Sequence, residues 1–177
     1  MNIIDYKNLV ATRLMRLGFT ADYLISCKMP LQVENSSLVP GGLDVFDREL
    51  WMQKDTLAAW QSMQTAASNE NIELKVVSAF RSVEYQCELI QKKLNRGIDL
   101  VEILKVNAAP GFSEHHTGKA LDLTTPDCEP LSESFELTEA FDWLVRNANT
   151  FHFYLSYPRN NPWNIVYEPW HWAWRKT

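Results

Sequence analysis

The stretch Ser113-Glu114-His115-His116-Thr117-Gly118-Lys119-Ala120-Leu121-Asp122 is answered near the C-terminus by Glu168-Pro169-Trp170-His171. Between them the two segments offer imidazoles and a carboxylate able to bind a metal ion, with a further carboxylate free to act as a base. Three protein ligands leave one position of a tetrahedral zinc open, the arrangement of catalytic zinc sites. The order differs from H-E-x-x-H, in which both histidines lie one turn apart on a single helix face. Gly118 stands between His115 and Asp122, so the chain is expected to turn there. The run from Ala120 to Thr124 then predicts a short strand leaving the turn.

His115 and Asp122 lie seven positions apart across that turn, and His171 falls on a later predicted strand. Taken singly, His115 and His116 read as polar loop residues and Asp122 as a turn or cap carboxylate. Taken as a set beside Glu168, they read as a site. Glu168 and His171 are three apart, so regular strand alternation would put them on opposite faces. Pro169 cannot donate to a ladder and marks where the strand begins, which leaves Glu168 in the preceding loop, free to face the same site. A solvated strand-edge charge is the plainer reading of Glu168.

Outward from the motif, the N-terminal half reads as mainly helical. Tyr6, Leu9, Val10, Leu14 and Leu17 form one helical stripe ended by Gly18. Residues 21–42 read as loop with at most a short strand, and Pro40-Gly41-Gly42 as a turn. Residues 48–69 predict a long amphipathic helix, and residues 72–78 a strand with Ile72, Leu74 and Val76 inward. Ser82 predicts a cap for a helix ended by Gly97, and residues 100–106 a short helix. Thr138 predicts a second cap, and residues 151–156 and 165–172 the remaining strands. Helices come first and strands cluster later, which predicts an α+β fold: a small antiparallel sheet carrying the metal site, flanked by helices.

With 177 residues and 46% hydrophobic content, the chain is expected to form a single domain around one core. A net charge of −5 with no Lys/Arg cluster excludes a nucleic-acid partner. No run reaches the length of a membrane span. The first residues lack a basic leader and an apolar export segment, which leads to a cytoplasmic expectation. Cys27, Cys87 and Cys128 are widely spaced and read as reduced thiols. Four of the seven Trp fall between Trp163 and Trp174, and so read as core or as a pocket wall.

Ser113-x-His115-x-x-Gly118-x-Ala120-x-Asp122, Glu168-x-x-His171 and Ser78-Ala79-Phe80-Arg81-Ser82 together resemble the VanY-type D-alanyl-D-alanine carboxypeptidase family. The resemblance spans about residues 50–172, leaving residues 1–45 as an N-terminal extension of a catalytic core at 46–177. It implies zinc on His115, Asp122 and His171, with Glu168 as the base. It also implies substrate binding by Arg81, Gln86 and Ser113, and Tyr157 and Trp170 are expected to wall the pocket. Arg81 offers a five-donor fork suited either to a terminal carboxylate or to a developing oxyanion. His152 stands where family members commonly carry Gly, and Ala173-Trp174 where Arg-Tyr is usual.

The expected activity is removal of C-terminal D-alanine from peptidoglycan peptides. An L,D-carboxypeptidase trimming tetrapeptide to tripeptide in muropeptide recycling is favoured over a D,D-carboxypeptidase acting on pentapeptide. An endopeptidase cutting the L-alanyl-D-glutamate bond is a third reading within the fold. A non-catalytic module binding cell-wall peptide or protein is the alternative of another class.

Overall fold

The computed structural model describes residues 2–176. Its centre is a four-stranded antiparallel sheet in the order β3-β4-β6-β5, with β3 at Lys75–Ser78, β4 at Ala120–Thr124, β5 at Phe153–Leu155 and β6 at His171–Trp174. β4 lies in the interior of the sheet and every one of its residues is buried. Because side chains alternate along a strand, Leu121 and Leu123 face one side and Asp122 the other. Trp172 and Trp174 alternate with His171 and Ala173 in the same way. The apolar faces of β4 and β6 pack with Trp60, Met63 and Ala67 of α3 (Lys54–Asn69) and with Trp143 and Leu144 of α6 (Glu139–Asn147). The fold is α+β, as the order of elements predicts.

The chain builds two apolar clusters where one core was expected. The second joins Tyr6, Val10 and Leu14 of α1 (Ile3–Arg16) to Val83, Cys87 and Ile90 of α4 (Val83–Asn95). Ile103 of α5 (Leu100–Val106) and Phe112 complete it. A short helix, α2 (Tyr23–Ser26), packs at its margin through Tyr23 and Leu24. Segments 79–83 and 109–121 run from one cluster to the other and carry Arg81, Ser113 and His115.

Besides α2, which falls where loop was expected, three local expectations change. Residues 48–53 are not helical: β2 (Glu49–Gln53) pairs antiparallel with β1 (Leu38–Leu43), and the helix begins only at Lys54. Pro40-Gly41-Gly42 is not a free turn but lies within β1, at a register shift. A two-stranded ribbon accommodates Pro at its outer edge. The strand expected at 165–172 is confined to its C-terminal end, with residues 165–170 in loop and turn. The cap expectations hold: Ser82 accepts from the Tyr85 amide and Thr138 from the Phe141 amide.

The turn at Gly118 needs glycine for two reasons. Its φ is +68°, in the left-handed region, and a Cβ there would lie 2.6 Å from Leu38 and 2.9 Å from the Gln53 backbone nitrogen. That nitrogen donates to the Gly118 carbonyl, so the β1–β2 ribbon is pinned directly under the motif. Gly118→Ala is expected to cost about 2–4 kcal/mol, combining left-handed strain with overpacking against backbone. Urea unfolding with and without added metal checks it; an unchanged midpoint would show that the ribbon yields.

Candidate active site

Strand register brings two of the motif side chains together. Asp122 and His171 are direct partners in the β4–β6 ladder, and Ser78 faces Asp122 from β3 on the other side. Cross-strand partners project from the same face, so the two side chains meet, with His171 Nδ1 3.0 Å from Asp122 Oδ1. His115 arrives from a 3-10 turn at Glu114–Thr117, and its Nε2 lies 3.2 Å from Asp122 Oδ2. One donor atom from each of His115, Asp122 and His171 lies within 4.8 Å of the others, and all three residues are buried.

The His115 ring is fixed by its other nitrogen, whose Nδ1–H donates to the Ala79 carbonyl. That bond sets the tautomer and turns the Nε2 lone pair towards Asp122 and the cavity, where this buried atom has no hydrogen-bond partner. An orphaned imidazole nitrogen is costly unless something binds it. Two imidazoles and one carboxylate converging in this way, with one nitrogen held by a backbone carbonyl, are the donor set and outer support typical of zinc. The residues present fit the metal.

His116 does not join this group. Its Nδ1–H donates to the Arg81 carbonyl and its Nε2 accepts from the Gly111 amide, so it braces the loop at 110–111 against the chain leaving β3. Both histidines are buried, which overturns their reading as polar loop residues. Burial, assisted by Arg81 nearby, lowers the His115 pKa to about 4, and burial lowers that of His116 to about 4. Burial also opposes charge on Asp122, but the attraction of His115, the bond from His171 and the charge of Arg81 outweigh it and hold Asp122 well below the usual carboxylate range.

Glu168 lies in the loop before β6, and a turn closed by the His171 amide on the Glu168 carbonyl brings both side chains to one side. Its carboxylate is 3.9 Å from His171 Nδ1. Burial, reinforced by the negative charge of Asp122, raises its pKa to about 7 despite the pull of His171. A cavity of about 310 Å³ opens here, lined by His115, Asp122, His171 and Glu168 together with Arg81, Gln86, Ser113, Tyr157 and Trp170. Every site residue expected from sequence therefore faces one space. Arg81 pairs with Asp122 at 3.3 Å, and Tyr157 packs its ring 4.7 Å from that of His171.

Sequence reasoning missed Glu114. Its Oε2 is 3.0 Å from His171 Nε2, the nitrogen directed away from Asp122, and Arg175 approaches its other oxygen at 3.7 Å. Burial would raise the Glu114 pKa, yet His171, Ser156 and Arg175 bring it down to about 2. Burial likewise disfavours charge on His171, but its bonds to Asp122 and Glu114 outweigh this and raise its pKa to about 10. A carboxylate behind a metal-ligating histidine orients the ring and raises its basicity. Glu114→Gln is expected to weaken zinc binding about 10- to 100-fold, read by competition with a chromophoric chelator. No spacing rule points to Glu114, because its partner reaches it only through the β4–β6 pairing.

Residues 49–177 match the family described as VanY, D-alanyl-D-alanine carboxypeptidase. The chain belongs to the VanY family. Among curated relatives it is similar to the putative carboxypeptidase YodJ of Bacillus subtilis (strain 168), at 33% identity over 129 residues, 68% of this chain and 45% of YodJ. The chain thus spans less than half the length of that relative. Among solved structures it resembles the LdcB LD-carboxypeptidase, a structure concerned with peptidoglycan recognition, at 30% identity and a TM-score of 0.73. That match covers 82% of this chain and 71% of LdcB. A vancomycin-resistance D,D-pentapeptidase VanY in complex with Zn(II) shares the fold, at 21% identity, a TM-score of 0.58 and coverage of 85% and 80%. His152, where the family resemblance leads one to expect Gly, has φ of +64° at the entry to β5, the backbone region glycine favours.

Proposed function

We propose that this chain is a zinc metallocarboxypeptidase that removes the C-terminal D-alanine from peptidoglycan-derived peptides. The observation that carries the reading is the convergence of His115, Asp122 and His171, with an unpartnered His115 nitrogen, in a cavity that Glu168 also lines. When bound there, zinc supplies a Lewis acid for the scissile carbonyl and lowers the pKa of a bound water to about 7. Glu168, its own pKa raised to about 7 by burial, takes the proton of the attacking water and returns it to the departing amine nitrogen. Arg81, held beside the donor cluster by Asp122, faces the charge that develops on the carbonyl oxygen. Ser113 and Gln86 contact the terminal residue, and Tyr157 and Trp170 exclude water from it.

Between the two specificities, L,D cleavage of tetrapeptide to tripeptide is the favoured reading, supported by likeness to the LdcB LD-carboxypeptidase over most of the chain. The family description supports the D,D alternative, cleavage of pentapeptide. A place in cytoplasmic muropeptide recycling belongs to the L,D reading. No helix among the described residues is long and apolar enough to cross a membrane. Incubating the zinc-loaded protein with muropeptide tetrapeptide and with pentapeptide, then weighing the products, tests the choice. Tripeptide from tetrapeptide is expected; loss of D-alanine from pentapeptide alone would reverse the assignment, and cleavage of neither would end the carboxypeptidase reading. Cell fractionation checks the compartment.

A further inference from the structure

We infer that Lys93 is a specificity-determining residue of this site, the cation that holds the free α-carboxylate of the departing C-terminal residue. The inference rests on the carboxypeptidase reading above and assigns a residue which that reading leaves out. Lys93 is on α4, seven positions after Gln86, and two helical turns put both on one face. Both line the cavity, beside Asn107, Ala108 and Ser113. Gln86 Nε2 donates to the Ala108 carbonyl and Lys93 Nζ donates to Asn107 Oδ1, so the cavity face of α4 is tied to the segment leading into the motif.

The two cations of the cavity are placed differently. Arg81 is engaged by Asp122 at 3.3 Å, next to the donor cluster and thus to the scissile carbonyl. Lys93 touches none of the three donor residues, and among the described residues no carboxylate lies within ion-pair distance of it. Its hydrogen-bond partner among the described residues is the neutral Asn107, and Glu168 acts on it only through its charge, beyond ion-pair distance. Burial, and then the positive charges of Arg81 and Arg96, disfavour its protonated form, with Glu168 acting the other way, so an arriving anion offsets the cost of a charge on Lys93. A peptide bound for removal of its last residue brings one unit of negative charge to the side of the scissile bond away from the rest of the chain. An amidated or extended peptide brings none. Gln86 Oε1, buried without a partner, adds an acceptor for an N–H of the bound peptide on the same face.

The test compares one tetrapeptide as free acid and as C-terminal carboxamide, using the zinc-loaded full chain and its Lys93→Met variant. The wild type is expected to favour the acid. In Lys93→Met, KM for the acid should rise about 10- to 100-fold, the effect of losing a hydrogen bond to a charged group, with kcat and zinc content near wild type and the acid-to-amide preference reduced. Lys93→Arg should restore part of the preference. Asn107→Ala, which frees the ammonium without removing it, should raise KM by less. The acid should also bind the zinc-loaded Glu168→Ala chain more tightly than the Glu168→Ala/Lys93→Met chain by a similar factor. An unchanged KM and preference in Lys93→Met would overturn the assignment and leave Lys93 a tie to Asn107. A wild type that releases no D-alanine from either form would instead fail the carboxypeptidase reading itself, and the assignment with it.

Discussion

Glu168→Ala is expected to keep zinc and lose catalysis. Among the described residues the carboxylate makes no ion pair with the donor residues closer than the 3.9 Å to His171, so its removal leaves His115, Asp122 and His171 in place. What disappears is the group that accepts a proton from water and hands it to nitrogen. General acid–base catalysis contributes about 10²- to 10⁴-fold, so kcat should fall by about 100-fold or more while metal content stays at wild-type stoichiometry. Glu168→Gln should fall as far, because an amide of the same shape cannot take the proton. Elemental analysis beside steady-state kinetics reads both quantities, and a variant that hydrolyses normally would remove Glu168 from the mechanism.

Asp122→Asn is expected to strike metal and fold together. One buried carboxylate faces His115 at 3.2 Å, His171 at 3.0 Å and Arg81 at 3.3 Å. Neutralising it removes an anionic metal ligand and strands the Arg81 guanidinium, whose side chain is only 18% exposed. Breaking a buried pair by removing one partner costs about 3–5 kcal/mol, and zinc affinity should drop by more than the roughly 100-fold that outer-shell losses reach. Activity should fall to background. Denaturant unfolding, with and without zinc, separates the effects: the wild type should gain stability from zinc, and the variant should not. Equal zinc stabilisation of both would take Asp122 out of the ligand set.

The parts of the site that could be read from sequence are those whose geometry is local. Gly118 announced its turn, Pro169 set Glu168 in a loop, and Ser82 and Thr138 announced their caps. The three donors could be named because their residue types are rare in company, and the match to the VanY pattern supplied roles that spacing alone could not. Residues 48–53 misled because Glu49, Leu50, Met52 and Gln53 are good helix formers, and their strand exists only through pairing with residues 38–43. Pro40-Gly41-Gly42 misled in the opposite sense, since turn residues can sit in an outer strand at an irregular register. Glu114 and Lys93 gave no signal because what each does depends on a partner far along the chain. His152 could be flagged only as an oddity until its positive φ gave the reason.

The packing of the first helix against the motif loop has a practical consequence for anyone who trims this chain to its recognisable part. A Cβ on Gly111 would come within 2.5 Å of Val10, so helix and loop are seated as closely as glycine permits. The Gln32 and Asn35 amides donate to the Gly111 and His116 carbonyls, and Glu34 accepts from the Val83 amide at the start of α4. A fragment beginning near residue 49 would retain each donor of the metal cluster but lose the buttress behind two of the loops that aim them. Grafting this core onto a relative's leading segment would succeed only where that segment carries its own equivalents of Val10, Gln32 and Asn35.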